Sequence, residues 1–121
     1  MRRPDYSRIE DKLVSLRNAG DWLLYVHLLE RGKIAFVPDA LNDHRRHGAG
    51  VTIGGNGMNL MREVLMVQQH VLERHAISTE ADRRRQRSDQ SIYEYLGLDR
   101  NGPPSYKDHQ ELRTVEWAAS R

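Results

Sequence analysis

A chain of 121 residues is long enough for one domain with one modest core, and without a cysteine it can hold neither a disulfide nor a thiolate metal site. Its 19 basic and 17 acidic side chains leave a formal charge of +2, too small to announce a nucleic-acid partner. The longest apolar run, Trp22 to Val26, falls far short of the roughly 20 residues a membrane span needs, and "MRRPDYS" has no apolar stretch behind its arginines, so a soluble cytoplasmic chain is expected.

Ser7-Arg8-Ile9-Glu10 has the form of a capping box, and Ile9, Leu13 and Leu16 follow at helical spacing, which predicts an amphipathic helix over residues 8 to 18. Asn18-Ala19-Gly20 ends it. Asp21 can cap the next helix, Trp22 to Arg31, which is apolar nearly all round and closed by Gly32. Such a helix is buried on most sides and needs neighbours. "KIAFVP" then reads as a short strand stopped by Pro38, with "ALNDHRRH" as a second extended segment. "GAGVTIGGNG", with five glycines in ten residues, is a loop. Met61, Val64, Leu65, Val71 and Leu72 mark one face of a long helix from Met58 to about His75, with Met58, Met61 and Met66 as core. A further helix starts near Ser78 or Thr79 and stops at Gly97. "DRNGPPS" is a turn, and "YKDHQELRTVEW" holds a last short helix.

Several residue groups could carry chemistry. His44-Arg45-Arg46-His47 places two histidines three apart, which share a face on a helix but not on a strand. Joint metal chelation therefore fails on an extended segment, and a structural zinc would lack its four ligands. The same parity puts Arg45 and His47 on one side, where a guanidinium and an imidazole could clamp a phosphate or diphosphate oxygen; a solvated strand explains the same residues without a ligand. "RRRQR" at 83 to 87 could meet phosphates, but Glu80, Asp82 and Asp89 flank it, as on a solvated helix face. His70 and His75, five apart, read as surface or helix-end residues. Tyr93 and Tyr95 with Ile92 and Leu96 read as a packing patch.

The stretch "GDWLLYVHLLERGKIAFVPDALNDHRRH" resembles the end of the catalytic domain of family 2 glycosyltransferases of the GT-A fold. The resemblance rests on Asp21-Trp22, Leu28, Gly32, Ile34, Val37-Pro38, Leu41 and His44-Arg45 followed by His47, and covers about 30 residues closely. Gly20, Asp43 and Gly50 depart from the family pattern, and neither an Asp-x-Asp motif nor a nucleotide-binding half lies within the chain. The resemblance implies that Asp21 is a catalytic base for the acceptor hydroxyl and that Trp22 sits by the acceptor or sugar. It also implies that Arg45 and His47 face the donor diphosphate, His47 with its divalent metal, magnesium or manganese. An N-cap role explains Asp21 without chemistry, and the two roles are compatible.

These observations lead to an α+β expectation, mainly α-helical, with three to four helices and a short β element around residues 33–47. Residues 1–75 form the transferase-like segment, and residues 76–121 a helical extension packed on it within a single domain. The expected function is that of the acceptor-side segment of a glycosyltransferase, inactive as this isolated chain. Its partners are a nucleotide-diphosphate sugar and a sugar or lipid-linked acceptor in the complete enzyme. The uncovered apolar helix further predicts a homodimer. The alternatives are a non-catalytic helical interaction or dimerisation module and a small nucleic-acid-binding protein.

Overall fold

A computed structural model describes residues 5–40 and 57–113. In chain order these residues form α1 (Glu10–Ser15), α2 (Gly20–Leu29), α3 (Gly57–Arg74), α4 (Thr79–Tyr95), a 3-10 turn (Tyr106–Asp108) and α5 (Gln110–Arg113).

The fold is therefore helical, and the expected β element is corrected: among the described residues there is no strand or bridge. Residues 33–40 run as irregular, exposed chain, with Ile34, Phe36 and Val37 at 79, 87 and 55% exposure. Residues 41–47 lie outside the described residues. The β-forming side chains of "KIAFVP" fit a pleated surface, but a strand needs a neighbouring strand to pair its amides and carbonyls. None is present among the described residues. Among the described residues five helices, two of them very short, stand where three to four were expected.

Two local predictions at the N-terminal end also fail. The helix α1 begins at Glu10, with Ile9 as an N-cap that makes no side-chain bond, so the capping box does not form. The Ser7 amide instead donates to Asp5 Oδ1 at 3.0 Å. The helix α2 begins at Gly20, with Ala19 as N-cap, so Asp21 sits inside the first turn rather than before it.

The long helix α3 is the spine. Ile9, Leu16, Ala19 and Leu23 bury against its Val67, and Tyr6, Leu13, Val26 and Met66 flank them. At its other end Met61 joins Tyr93, Tyr106 and Leu112 in a second cluster, which Met58, Leu65, Ile92, Leu96 and Leu98 border. One modest core was expected. Two small ones form because α1 and α2 cover one part of α3, while α4, the 3-10 turn and α5 cover another.

The helix α4 is the element whose ends follow most directly from local chemistry. The Ser78 hydroxyl accepts from the Ala81 amide at 3.0 Å and caps its start. At its end Gly97, with φ 73°, adopts the left-handed conformation that glycine takes without a Cβ clash. There the Gly97 amide donates to Glu94 O at 2.9 Å and the Leu98 amide to Tyr93 O at 3.2 Å, the paired bonds of a Schellman end. The chain then turns back through Pro103, whose carbonyl accepts the Tyr93 hydroxyl at 2.7 Å.

Candidate functional site

The turn between α1 and α2 leaves backbone amides that the helix itself cannot satisfy. A buried glutamate from α3 supplies the acceptors: Glu63 Oε1 takes the Arg17 amide at 2.6 Å, and Oε2 takes Asn18 at 2.6 Å and Ala19 at 3.1 Å. A carboxylate at a helix N-terminus also meets the positive end of the helix dipole. The start of α2 is thus fixed to α3 by three bonds that span more than forty residues.

This anchored turn forms one wall of a groove of about 490 Å³. Arg17, Asn18, Ala19, Asp21 and Trp22 line it on the α2 side, Leu60 and Val64 come from α3, and Ile92, Tyr95 and Leu96 from the end of α4. Asp21 is exposed, and its Oδ1 accepts the Trp22 amide at 2.9 Å. Its other oxygen has no hydrogen-bond partner among the described residues. Asn18 Oδ1 is buried without a hydrogen-bond partner among them. The groove therefore combines a carboxylate, a guanidinium, two partly exposed aromatic rings and an aliphatic floor. Apolar walls with a few placed polar groups are the usual make-up of a small-molecule site.

Of the residues singled out in the sequence, Asp21 and Trp22 fall together in this groove, and Tyr95 joins them although the sequence suggested only packing for it. Arg45 and His47 lie outside the described residues, as do His44 and Arg46. Among the described residues no group of three or more His, Asp or Glu side chains is arranged to hold a metal. None of their helices is long and apolar enough to cross a membrane.

Other assignments are corrected. His70 is buried rather than on the surface, and Lys12 Nζ donates to its Nδ1 at 3.0 Å. That bond fixes the neutral tautomer with the proton on Nε2, which has no partner among the described residues. Burial, together with the nearby charges of Lys12 and Arg74, holds the imidazole below its usual 6.5. His75, just past α3, is half exposed and contacts Glu30 Oε2 at 3.0 Å beside Arg74. Tyr93 is fully buried while Tyr95 is exposed, so the packing patch is one-sided.

Glu63 was not singled out in the sequence. The available signal was an acidic residue between Met61 and Val64 on the inward face of an otherwise apolar stripe, where a charge survives only with partners. No protein-family model, curated protein or solved structure matches this chain.

Proposed function

We propose that the chain is the acceptor-side segment of a glycosyltransferase that moves a sugar from a nucleotide-diphosphate sugar to an acceptor hydroxyl. One observation carries this reading: Asp21 and Trp22, which the family resemblance assigns to base and acceptor contact, line a single groove with Tyr95. Sugars present apolar C–H faces to aromatic rings and hydroxyls to carboxylates, and this groove offers both. Asp21, with one carboxylate oxygen uncommitted, takes the proton from the acceptor hydroxyl as that oxygen attacks the donor sugar. Arg17 and Asn18 supply further polar contacts at the same wall.

The donor side requires residues the groove does not contain. Charge developing on the leaving diphosphate needs cations or donors aimed at it, and the resemblance gives that task to Arg45 and His47. On the same reading His47 faces the divalent metal of the donor diphosphate. The isolated chain is inactive on this reading and works together with a nucleotide-binding half.

The test is a titration of the labelled chain with a panel of monosaccharides and short oligosaccharides, read by amide chemical shifts. Acceptor-type sugars are expected to shift Asp21, Trp22 and Tyr95, and Trp22→Ala is expected to remove the response. No shifts with any sugar, or shifts confined to other surfaces, would overturn the reading.

A second reading, a non-catalytic helical interaction module, is favoured by the exposure of Tyr25, Leu28, Leu29, Ile34, Phe36 and Val37. Apolar side chains in such number mark an interaction surface. It becomes the better account if sugars leave the groove undisturbed while the chain associates through α2.

A further inference from the structure

A second cavity, of about 720 Å³, shares no residue with the groove described above. Glu80, Arg83, Gln86, Arg87 and Gln90 of α4 line it on one side, and Ser105, Tyr106 and Lys107 on the other. Three cations thus face one carboxylate. We propose that this cavity binds the phosphate group of a small phosphorylated molecule.

The hydrogen-bonding capacity left in the lining decides the ligand's chemistry. Its glutamine acceptors are already committed, and Glu80 keeps one carboxylate oxygen free. Gln86 Oε1 accepts from Lys107 Nζ, Gln90 Oε1 accepts the Tyr106 amide at 3.1 Å, and Glu80 Oε1 holds Arg84 at 3.0 Å. The two glutamine amides are also spent: Gln86 Nε2 donates to Asp82 at 2.7 Å, and Gln90 Nε2 to Glu94 at 2.9 Å and Pro104 O at 2.7 Å.

What remains is almost wholly donors. The Arg83 guanidinium has no ion pair or hydrogen bond among the described residues. Arg87 reaches Glu80 only at 4.0 Å. Lys107 keeps two of its three ammonium protons, and the Ser105 hydroxyl, which accepts the Lys107 amide at 3.3 Å, keeps its own. Neutral polar ligands carry donors as well as acceptors and would leave some unmatched. A phosphate dianion carries acceptor oxygens only, and guanidinium groups suit it in geometry and charge.

The helix register adds an argument. Arg83 and Arg87 stand four residues apart on one face of α4, where like charges repel. An anion between them removes that repulsion. The neighbouring arginines are not part of the cluster, because Arg84 is tied to Glu80, and Arg85 pairs with Asp82 at 2.7 Å and Asp89 at 3.3 Å. The free positive charge is therefore local. A nucleic-acid strand calls for cations spaced along a track, which suits this surface less well than one phosphate group.

The experiment is calorimetric titration of the chain with inorganic phosphate and with ribose phosphate, at an ionic strength held constant with sodium chloride. Saturable binding of both, weakened about tenfold or more by Arg83→Gln and by Lys107→Gln but unchanged by Arg62→Gln outside the cavity, is expected. Arg83 is exposed, so its loss leaves the fold intact, as circular dichroism would check. Phosphate-induced amide shifts in the unaltered chain, expected at Ser105 and Lys107, give a second readout independent of any variant. Heats no larger than those of added chloride, equal losses in all three variants, or a short single-stranded oligonucleotide that ribose phosphate fails to displace would each overturn the proposal.

Discussion

Glu63 and Asn18, separated by 45 residues in the chain, are joined by a 2.6 Å hydrogen bond from the Asn18 amide to Glu63 Oε2. With the flanking bonds from Arg17 and Ala19, one side chain of α3 caps the start of α2 and fixes the wall of the groove. Removing the carboxylate leaves three backbone donors without acceptors, and a buried amide stripped of its partner costs about 1–3 kcal/mol. Glu63→Ala is therefore expected to lower stability by about 3 kcal/mol in urea denaturation. Glu63→Gln, which keeps one acceptor but turns an amide toward the same donors, should fall between. A loss below about 0.5 kcal/mol, the size of an ordinary surface change, would show that the cap contributes little.

Asp89 makes the opposite case, a buried carboxylate whose charge the fold resists. It is fully buried, accepts from Gln68 Nε2 at 2.6 Å and pairs with Arg85 at 3.3 Å. Burial pushes its carboxyl above the usual 3.8 and outweighs the lowering by Gln68 and Arg85. A folded value above the unfolded one means that this group's contribution is full below about 3.8 and is lost as pH rises through the folded value. Asp89→Asn carries no such loss. The stability of wild type relative to this variant should therefore decline between acid and neutral pH, and Asp89→Ala should be the worst of the three at pH 7, since it leaves the Gln68 Nε2 without its acceptor beside a cavity. A constant difference between wild type and Asp89→Asn across that range would contradict the sign.

His70 gives a titration of the other kind. Its folded value lies below the usual 6.5, so the unfolded chain takes up a proton there before the native one does. The associated stability is full above about 6.5 and is lost as pH falls through the folded value. Carbon-detected imidazole shifts should place the midpoint of His70 below the usual 6.5. Lys12→Met should move it upward, because a positive neighbour disfavours the imidazolium, while burial keeps it below the ordinary value. An unchanged midpoint in Lys12→Met would remove Lys12 from the account.

Elements whose ends are set by nearby residues were legible in the sequence. Ser78 and Gly97 bound α4 because a hydroxyl three residues upstream and a glycine at positive φ are local devices. The apolar spacing in α3 was only partly as direct: Met61 and Val64 are buried as it requires, Leu65 and Val71 are half-buried, Leu72 is exposed, and the buried Val67 was not part of that face. Asp21 was misread as a cap because the true cap arrives from α3, and no pattern near Asp21 announces Glu63. The strand at 33–38 was misread because propensity describes a residue's fit to a sheet, and the sheet itself is a tertiary partner. Asp21 and Trp22 were singled out only through a family resemblance. Their meeting with Tyr95 depends on how α4 lies against α3, which spacing along one helix does not encode.

The outer face of α2 leads to the last expectation. Leu23 and His27 turn inward, and His27 Nε2 bonds the Asp5 carbonyl at 2.6 Å beside the Tyr6 ring. Tyr25, Leu28 and Leu29 remain exposed, and Ile34, Phe36 and Val37 follow in the next segment. On the transferase reading this face packs against the nucleotide-binding half; in the isolated chain nothing among the described residues covers it. Apolar area leaving water contributes roughly 25 cal/mol per Å², enough for a few hundred Å² to offset association costs of several kcal/mol. Two copies related by a two-fold axis are the simplest closed arrangement. Sedimentation velocity on the isolated chain at tens of micromolar should therefore give a dimer. Leu29→Glu should shift it to monomer without lowering the unfolding midpoint of the monomer itself, since Leu29 points away from both clusters. A monomeric mass at those concentrations, with Leu29→Glu melting like wild type, would show that a second copy does not cover this face.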